Sequence, residues 1–95
     1  MSRRPSTPGA LLIDQMEATD LTQSDVARRI GVGRQTINEL VRGKRAMTPD
    51  IAHRLGKLFG GGPDLWLLLQ AQVDMWDALH IDTSKYANIE QVQAV

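Results

Sequence analysis

Four neighbouring side chains, Arg34, Gln35, Thr36 and Asn38, are of the types that read the edges of base pairs. An arginine donates to guanine O6 and N7, glutamine and asparagine amides bond adenine N6 and N7, and a threonine methyl packs on the methyl of thymine. Four more, Gln23, Arg42, Lys44 and Arg45, flank them and suit phosphate. The three cations would neutralise backbone charge, which gives affinity and orientation rather than sequence choice. Gln23 would share a phosphate with backbone N–H groups at the positive end of a helix. On an isolated helix such a polar face is ordinarily a solvated one, so the surrounding elements decide what it is for.

Residues 21–45 read as two short amphipathic helices joined by a tight turn, with six basic residues and one acidic residue between Arg28 and Arg45. Helix, turn, helix with cationic flanks is the layout that lays a second helix in the major groove. Thr22 is a good N-cap, and Asp25 stands three residues later to complete a capping-box-like arrangement. Val26, Ala27 and Ile30 point inward. Gly31 is the expected residue of positive φ after the first of these helices, Val32 fills the gap, and Gly33 lets the chain re-enter a helix. The second helix is predicted from about Arg34 to Val41. Ile37, Leu40 and Val41 share its buried side, which leaves Arg34, Gln35, Thr36, Asn38 and Glu39 facing outward until Gly43 ends it.

The rest of the chain supplies the scaffold. Residues 1–8 form a polar, Pro-containing arm expected to be flexible or lightly held. Pro8 opens a first helix with Leu11, Leu12, Met16 and Ala18 as its buried stripe. Thr48-Pro49-Asp50 starts a fourth, with Ile51, Ala52, Leu55, Leu58 and Phe59 inward. Gly60-Gly61-Gly62 stops it, and Pro63-Asp64 opens a fifth that runs to about Leu79, roughly 24 Å. The domain proper is therefore residues 9–79. The tail, 80–95, shows no clean period in Ile81, Tyr86, Ile89 and Val92; a strand, a short helix and a docked coil all remain open.

Ninety-five residues leave room for one hydrophobic core. The absence of cysteine excludes disulfides and cysteine-rich zinc sites. Net charge is zero, but it is divided. Residues 1–60 carry ten Lys/Arg and six Asp/Glu, a balance of +4; residues 61–95 carry Lys85 and five acids, a balance of −4. The basic footprint is thus local to the helix pair. No apolar run approaches a membrane span, and Arg3-Arg4 leads into Pro-Ser-Thr-Pro-Gly rather than an apolar stretch, so no signal peptide is expected. His53 and His80 are isolated, the glycine run lacks the Gly-Lys-Ser/Thr of a nucleotide loop, and no nucleophile–base pair can be assembled. The expectation is a cytoplasmic non-enzyme with no catalytic residue, metal or cofactor, nucleoid-associated when on DNA.

The fifth helix is apolar over a wide arc. Trp66, Leu69, Val73 and Trp76 make one stripe; Leu65, Leu68, Met75 and Leu79, with Gln72 among them, make another. A helix apolar on two sides needs cover on both. One side can pack on the body, and a second copy of the chain is the simplest cover for the other, though the tail is an alternative. A two-fold dimer would set two recognition helices roughly 34 Å apart, one turn of DNA.

Residues 21–45 resemble the helix-turn-helix of lambda-repressor-like (Xre-type) proteins. Residues 8–78 as a whole resemble the HigA-type antitoxins of bacterial toxin–antitoxin modules. The matching residues are Thr7-Pro8-Gly9, Leu21-Thr22-Gln23, Gly31-Val32, Arg34-Gln35-Thr36-Ile37, Gly43-Lys44-Arg45 and Thr48-Pro49-Asp50. More specific is Pro63-Asp64-Leu65-Trp66-Leu67 with Leu69-Gln70-Ala71 and Asp74-Met75-Trp76. The chain departs from the family in having Thr7 where a histidine is usual, Gly33 in place of a serine-like cap, and Leu68 where asparagine is common. The resemblance implies an all-α, five-helix fold and a homodimer that binds double-stranded operator DNA to repress its own operon. It also implies capture of a cognate RelE/HigB-like mRNA-cleaving toxin. The residues alone leave two alternatives: a free-standing regulator without a toxin, and a protein-interaction module whose DNA face is unused.

Overall fold

Three threonines start three of the five helices. In a computed structural model, which describes residues 3–94, Thr7, Thr22 and Thr48 each lie in extended backbone and accept a main-chain N–H of the following turn, from Ala10, Asp25 and Ile51. The helices are α1 (Pro8–Thr19), α2 (Gln23–Ile30), α3 (Arg34–Val41), α4 (Pro49–Phe59) and α5 (Asp64–His80). A 3-10 turn at Ser84–Tyr86 follows, and the described residues contain no strand. No helix among them is long and apolar enough to cross a membrane.

The stops are as specific as the starts. Asp20 ends α1 at φ 56°, a left-handed position unusual for a residue with a side chain, and Gly43 does the same after α3 at φ 71°. At both ends a pair of N–H groups folds back: Asp20 to Glu17 O and Leu21 to Met16 O, then Gly43 to Leu40 O and Lys44 to Glu39 O. These are Schellman closures, and they satisfy carbonyls that a helix end otherwise leaves bare.

Leu12, Val26, Ile37, Leu40 and Leu55 are fully buried, each worth about 1.5–3 kcal/mol of transfer from water. Ala27, Ile30, Met47, Ile51, Ala52 and Trp66 complete the cluster, with Phe59 tilted against Trp66 at 6.3 Å between ring centres. Gly9 lets α1 press on α3, since a Cβ there would strike the carbonyls of Leu40 and Val41. The predicted α1 stripe needs one correction. Leu11, Leu12 and Met16 face the body, but Ala18 is exposed, because at about 100° per residue it stands some 120° round the helix from the buried Leu12.

The two ends differ from one another. Residues 3–7 are not a loose arm: Arg4 donates through Nε and a terminal nitrogen to both carboxylate oxygens of Asp77 on α5, at 2.9 and 3.0 Å. The tail beyond α5 lies exposed throughout its described length, with Ile81, Tyr86, Ile89 and Val92 between 42% and 88% accessible. It therefore does not cover the second apolar stripe of α5.

Candidate nucleic-acid interface

Helix α3 is anchored by what it buries. Ile37 and Leu40 are at most 2% exposed, and this fixes the rotation of the helix. Residues on the opposite arc must then face solvent. Arg34 and Gln35 do so, at the first turn, with Gly33 as a cap that adds no side chain of its own. Thr36 is half-buried. Asn38 is half-buried too, and its amide nitrogen donates to Gln23 Oε1 at 3.2 Å. The candidate base reader and the candidate phosphate ligand thus meet across the seam between α2 and α3.

Helix α2 presents its N-terminus beside this seam. Its capping box is complete: Asp25 N–H donates to Thr22 Oγ1 at 3.1 Å, and Thr22 N–H donates to the Asp25 carboxylate at 3.0 Å. The Thr22 bonds, helped by nearby Arg28, hold the Asp25 carboxyl below its ordinary range. Two of the first-turn N–H groups are thereby occupied, and Gln23 follows directly on the cap.

Of the flanking cations, Arg42 and Lys44 are exposed and have no ion-pair partner among the described residues. Lys44 is held by its own backbone, through the Schellman bond to Glu39 O at 2.8 Å. Arg45 is exposed but paired with Glu39 at 3.1 Å. Arg29 and Arg34 also lack ion pairs among the described residues, while Arg28 leans on Asp25. One surface therefore combines free cations at both ends of α3 with two exposed polar readers at its start.

The second candidate surface lies on α5. Trp66 and Val73 are buried, and Leu69 and Trp76 are half-buried, so the first stripe packs on the body. Leu65, Leu68, Met75 and Leu79 are 50%, 54%, 66% and 81% exposed, and Gln72 is exposed among them. Such a row on one helix is a contiguous apolar patch of the sort that marks an interaction site.

Two features of this region were not foreseen. One is the Arg4–Asp77 pair, which holds Asp77 below the usual carboxylate range. The other is Gln70, whose Oε1 accepts the Met47 N–H at 2.7 Å while its Nε2 donates to Asp74 at 2.9 Å. No local pattern announces the Arg4–Asp77 or the Gln70–Met47 contact, because each joins residues more than twenty positions apart. Gly9 did carry a signal: a glycine in a first helical turn suggests close backbone approach.

Comparison with known proteins agrees with the fold. A family model described as helix-turn-helix matches residues 12–66. The chain is 38% identical to an uncharacterized HTH-type transcriptional regulator, YbaQ, of Escherichia coli, over 80% of its own length and 68% of the relative's. It is 34% identical to antitoxin HigA-1 of Vibrio cholerae, over 79% and 71%. Among solved structures it is similar to the Pseudomonas aeruginosa antitoxin HigA with the higBA promoter, at a TM-score of 0.80 and 28% identity, covering 93% of this chain and 97% of that one.

Proposed function

The chain belongs to the helix-turn-helix family in which the HigA-type antitoxins fall, and on that premise we propose that it is an operator-binding antitoxin. In this reading a homodimer formed through α5 places two α3 helices in successive major grooves and represses its own operon. It also neutralises a RelE/HigB-like mRNA-cleaving toxin. The observation that carries the DNA half is the exposure of Arg34 and Gln35 at the start of a helix whose apolar side is locked in the core, with unpaired Arg42 and Lys44 at its end. Arg34 and Gln35 take base edges, Thr36 and the Gln23-braced Asn38 lie at the margin of the groove, and Arg42, Lys44 and Arg45 take phosphate.

The toxin half is supported by family likeness and by charge. The second part of the chain, at −4, suits a basic RNA-cleaving partner. The likeness to YbaQ, a transcriptional regulator, favours a second reading, a free-standing transcriptional regulator without a toxin, and an adjacent small basic reading frame separates the two. The central test is binding to DNA upstream of the chain's own gene as salt is raised. A palindromic site bound with a steep salt slope is expected; equal, weak binding to every duplex would overturn the operator reading. For the partner, the purified chain should form a stable complex with the neighbouring toxin, and failure to do so would reduce the function to repression alone.

A further inference from the structure

Helix α5 has a third stripe that neither the core nor the exposed apolar row uses. Gln70, Asp74 and Asp77 recur at i, i+4 and i+7. At about 100° per residue they lie on the far side of the helix from Leu65, Leu68, Met75 and Leu79. This stripe is bonded rather than bare. Asp77 holds Arg4, and Gln70 bridges the Met47 N–H and the Asp74 carboxylate.

Met47 ends the loop that leaves α3 through Gly43, Lys44 and Arg45. The loop is pinned at its start by the Schellman bonds of Gly43 and Lys44. At its far end it is pinned by burial of the Met47 side chain, 5% exposed, and by the Gln70 amide. Without an acceptor at position 70, the half-buried Met47 N–H would have to find water, at the cost of an unmade hydrogen bond. The loop would move outward to reach it and carry Lys44 and Arg45 along. The rotation of α3 would not follow, because Ile37 and Leu40 hold it in the core.

We propose that Gln70 is a positioning residue for DNA binding, fixing the phosphate-contacting loop against the helix whose opposite face makes the dimer. Because one helix carries both contacts, the bond sets where Lys44 and Arg45 of each subunit stand relative to the two-fold axis. That placement selects the spacing between half-sites. The inference rests on the dimeric operator-binding reading above.

The test compares full-length wild type, Gln70→Leu and the double variant Gln70→Glu with Asp74→Asn on two duplexes. One is selected by wild type from a random-sequence pool; the other has one base pair inserted between its half-sites. The readout is the ratio of the two affinities, in which a general loss of stability cancels. Gln70→Leu puts an apolar side chain of comparable bulk there and removes the acceptor, and its ratio should fall about fivefold, the size of one ordinary hydrogen bond. Gln70→Glu, made together with Asp74→Asn so that no two carboxylates meet, keeps an acceptor for Met47 and should recover most of the ratio. Hydrogen exchange of the Met47 amide should quicken in Gln70→Leu and remain slow in the double variant. A wild-type ratio in both variants overturns the proposal, and so does an equal fall in both, since the acceptor would then not be the cause. A wild-type chain that selects no duplex overturns the operator reading itself, and this inference with it.

Discussion

Helix α3 buries Ile37 and Leu40 and turns Arg34 and Gln35 to solvent, whereas α5 buries Trp66 and Val73 and leaves four large apolar side chains half to four-fifths exposed. Both helices are fixed in rotation by the same core, so the difference lies in what each has left over. A polyanion with a hydrogen-bonding groove suits the leftover of α3. Only an apolar surface suits that of α5, and a second α5 related by a two-fold axis is one. The same contrast appears in charge: Arg34, Arg42 and Lys44, without ion pairs among the described residues, cluster about α3, while α5 carries Asp64, Asp74 and Asp77 on its sequence. In the proposed function, the DNA-contacting and partner-contacting surfaces are thereby kept apart.

The largest effect should come from removing the ground both regions stand on. Leu40→Ala opens a cavity where α3 meets the packed Gly9 of α1, and should cost about 2–5 kcal/mol in urea unfolding. Both faces should then fail together; retained dimer and DNA binding at full strength would mean that the shared core is not what orients them. The next effect is confined to α5. Light scattering at micromolar concentrations should give about twice the 10.5 kDa chain mass. Leu68→Glu with Met75→Glu should return it to one chain mass with an unchanged helical spectrum. A folded monomer in the wild type would end the argument that the exposed stripe is an interface.

On the α3 side the expected losses are smaller and of two kinds. Gln35→Ala should weaken specific operator binding by about 1–3 kcal/mol and leave non-specific binding almost unchanged. Lys44→Ala should weaken binding to every duplex and flatten the salt slope by about one unit. Identical, sequence-independent losses for both variants would show that Gln35 is not a base reader.

How much of this could be read from the chain follows from the range of the interactions. The five helices and the caps at Thr22, Thr48, Gly31 and Gly43 were legible because such residues, like Pro49, act within a turn of where they stand. The two stripes of α5 were legible because helical period is local as well. The Asn38–Gln23 bond, the Arg4–Asp77 pair and the Gln70 bridge were not, since each joins separate elements and depends on how helices dock. The Asp20 turn was missed for a different reason: aspartate enters the left-handed region only occasionally, so its type is a weak signal. Asn38 shows what this means for the site. Its type suits adenine, and only the packed structure reveals that Gln23 already holds it.

The finest distinction between the two regions lies in two carboxylates, Asp25 beside the reader and Asp77 on the face of α5 opposite the exposed apolar stripe. Both have folded pKa values below their ordinary range. A depressed folded pKa means that the unfolded chain takes up a proton more readily than the folded one. The stabilisation is therefore complete above the unfolded carboxylate value of about 4, and it is lost as pH falls through the lower folded value. The causes differ. Asp25 is held first by the Thr22 N–H, at hydrogen-bond range within one turn, while Asp77 is held by a guanidinium with both side chains about half exposed, 47% and 48%. Salt screens the second far more than the first, since at about 1 M the Debye length is only ~3 Å. Urea midpoints followed from pH 5 to below pH 3 should thus show an acid-side decline with two components. Arg4→Gln should remove the component that salt suppresses, and Asp25→Asn, which takes away the carboxylate that the Thr22 N–H holds, the component that persists in salt. If high salt abolishes both, the capping box is no more than another surface ion pair, and the reader helix is held by its core alone.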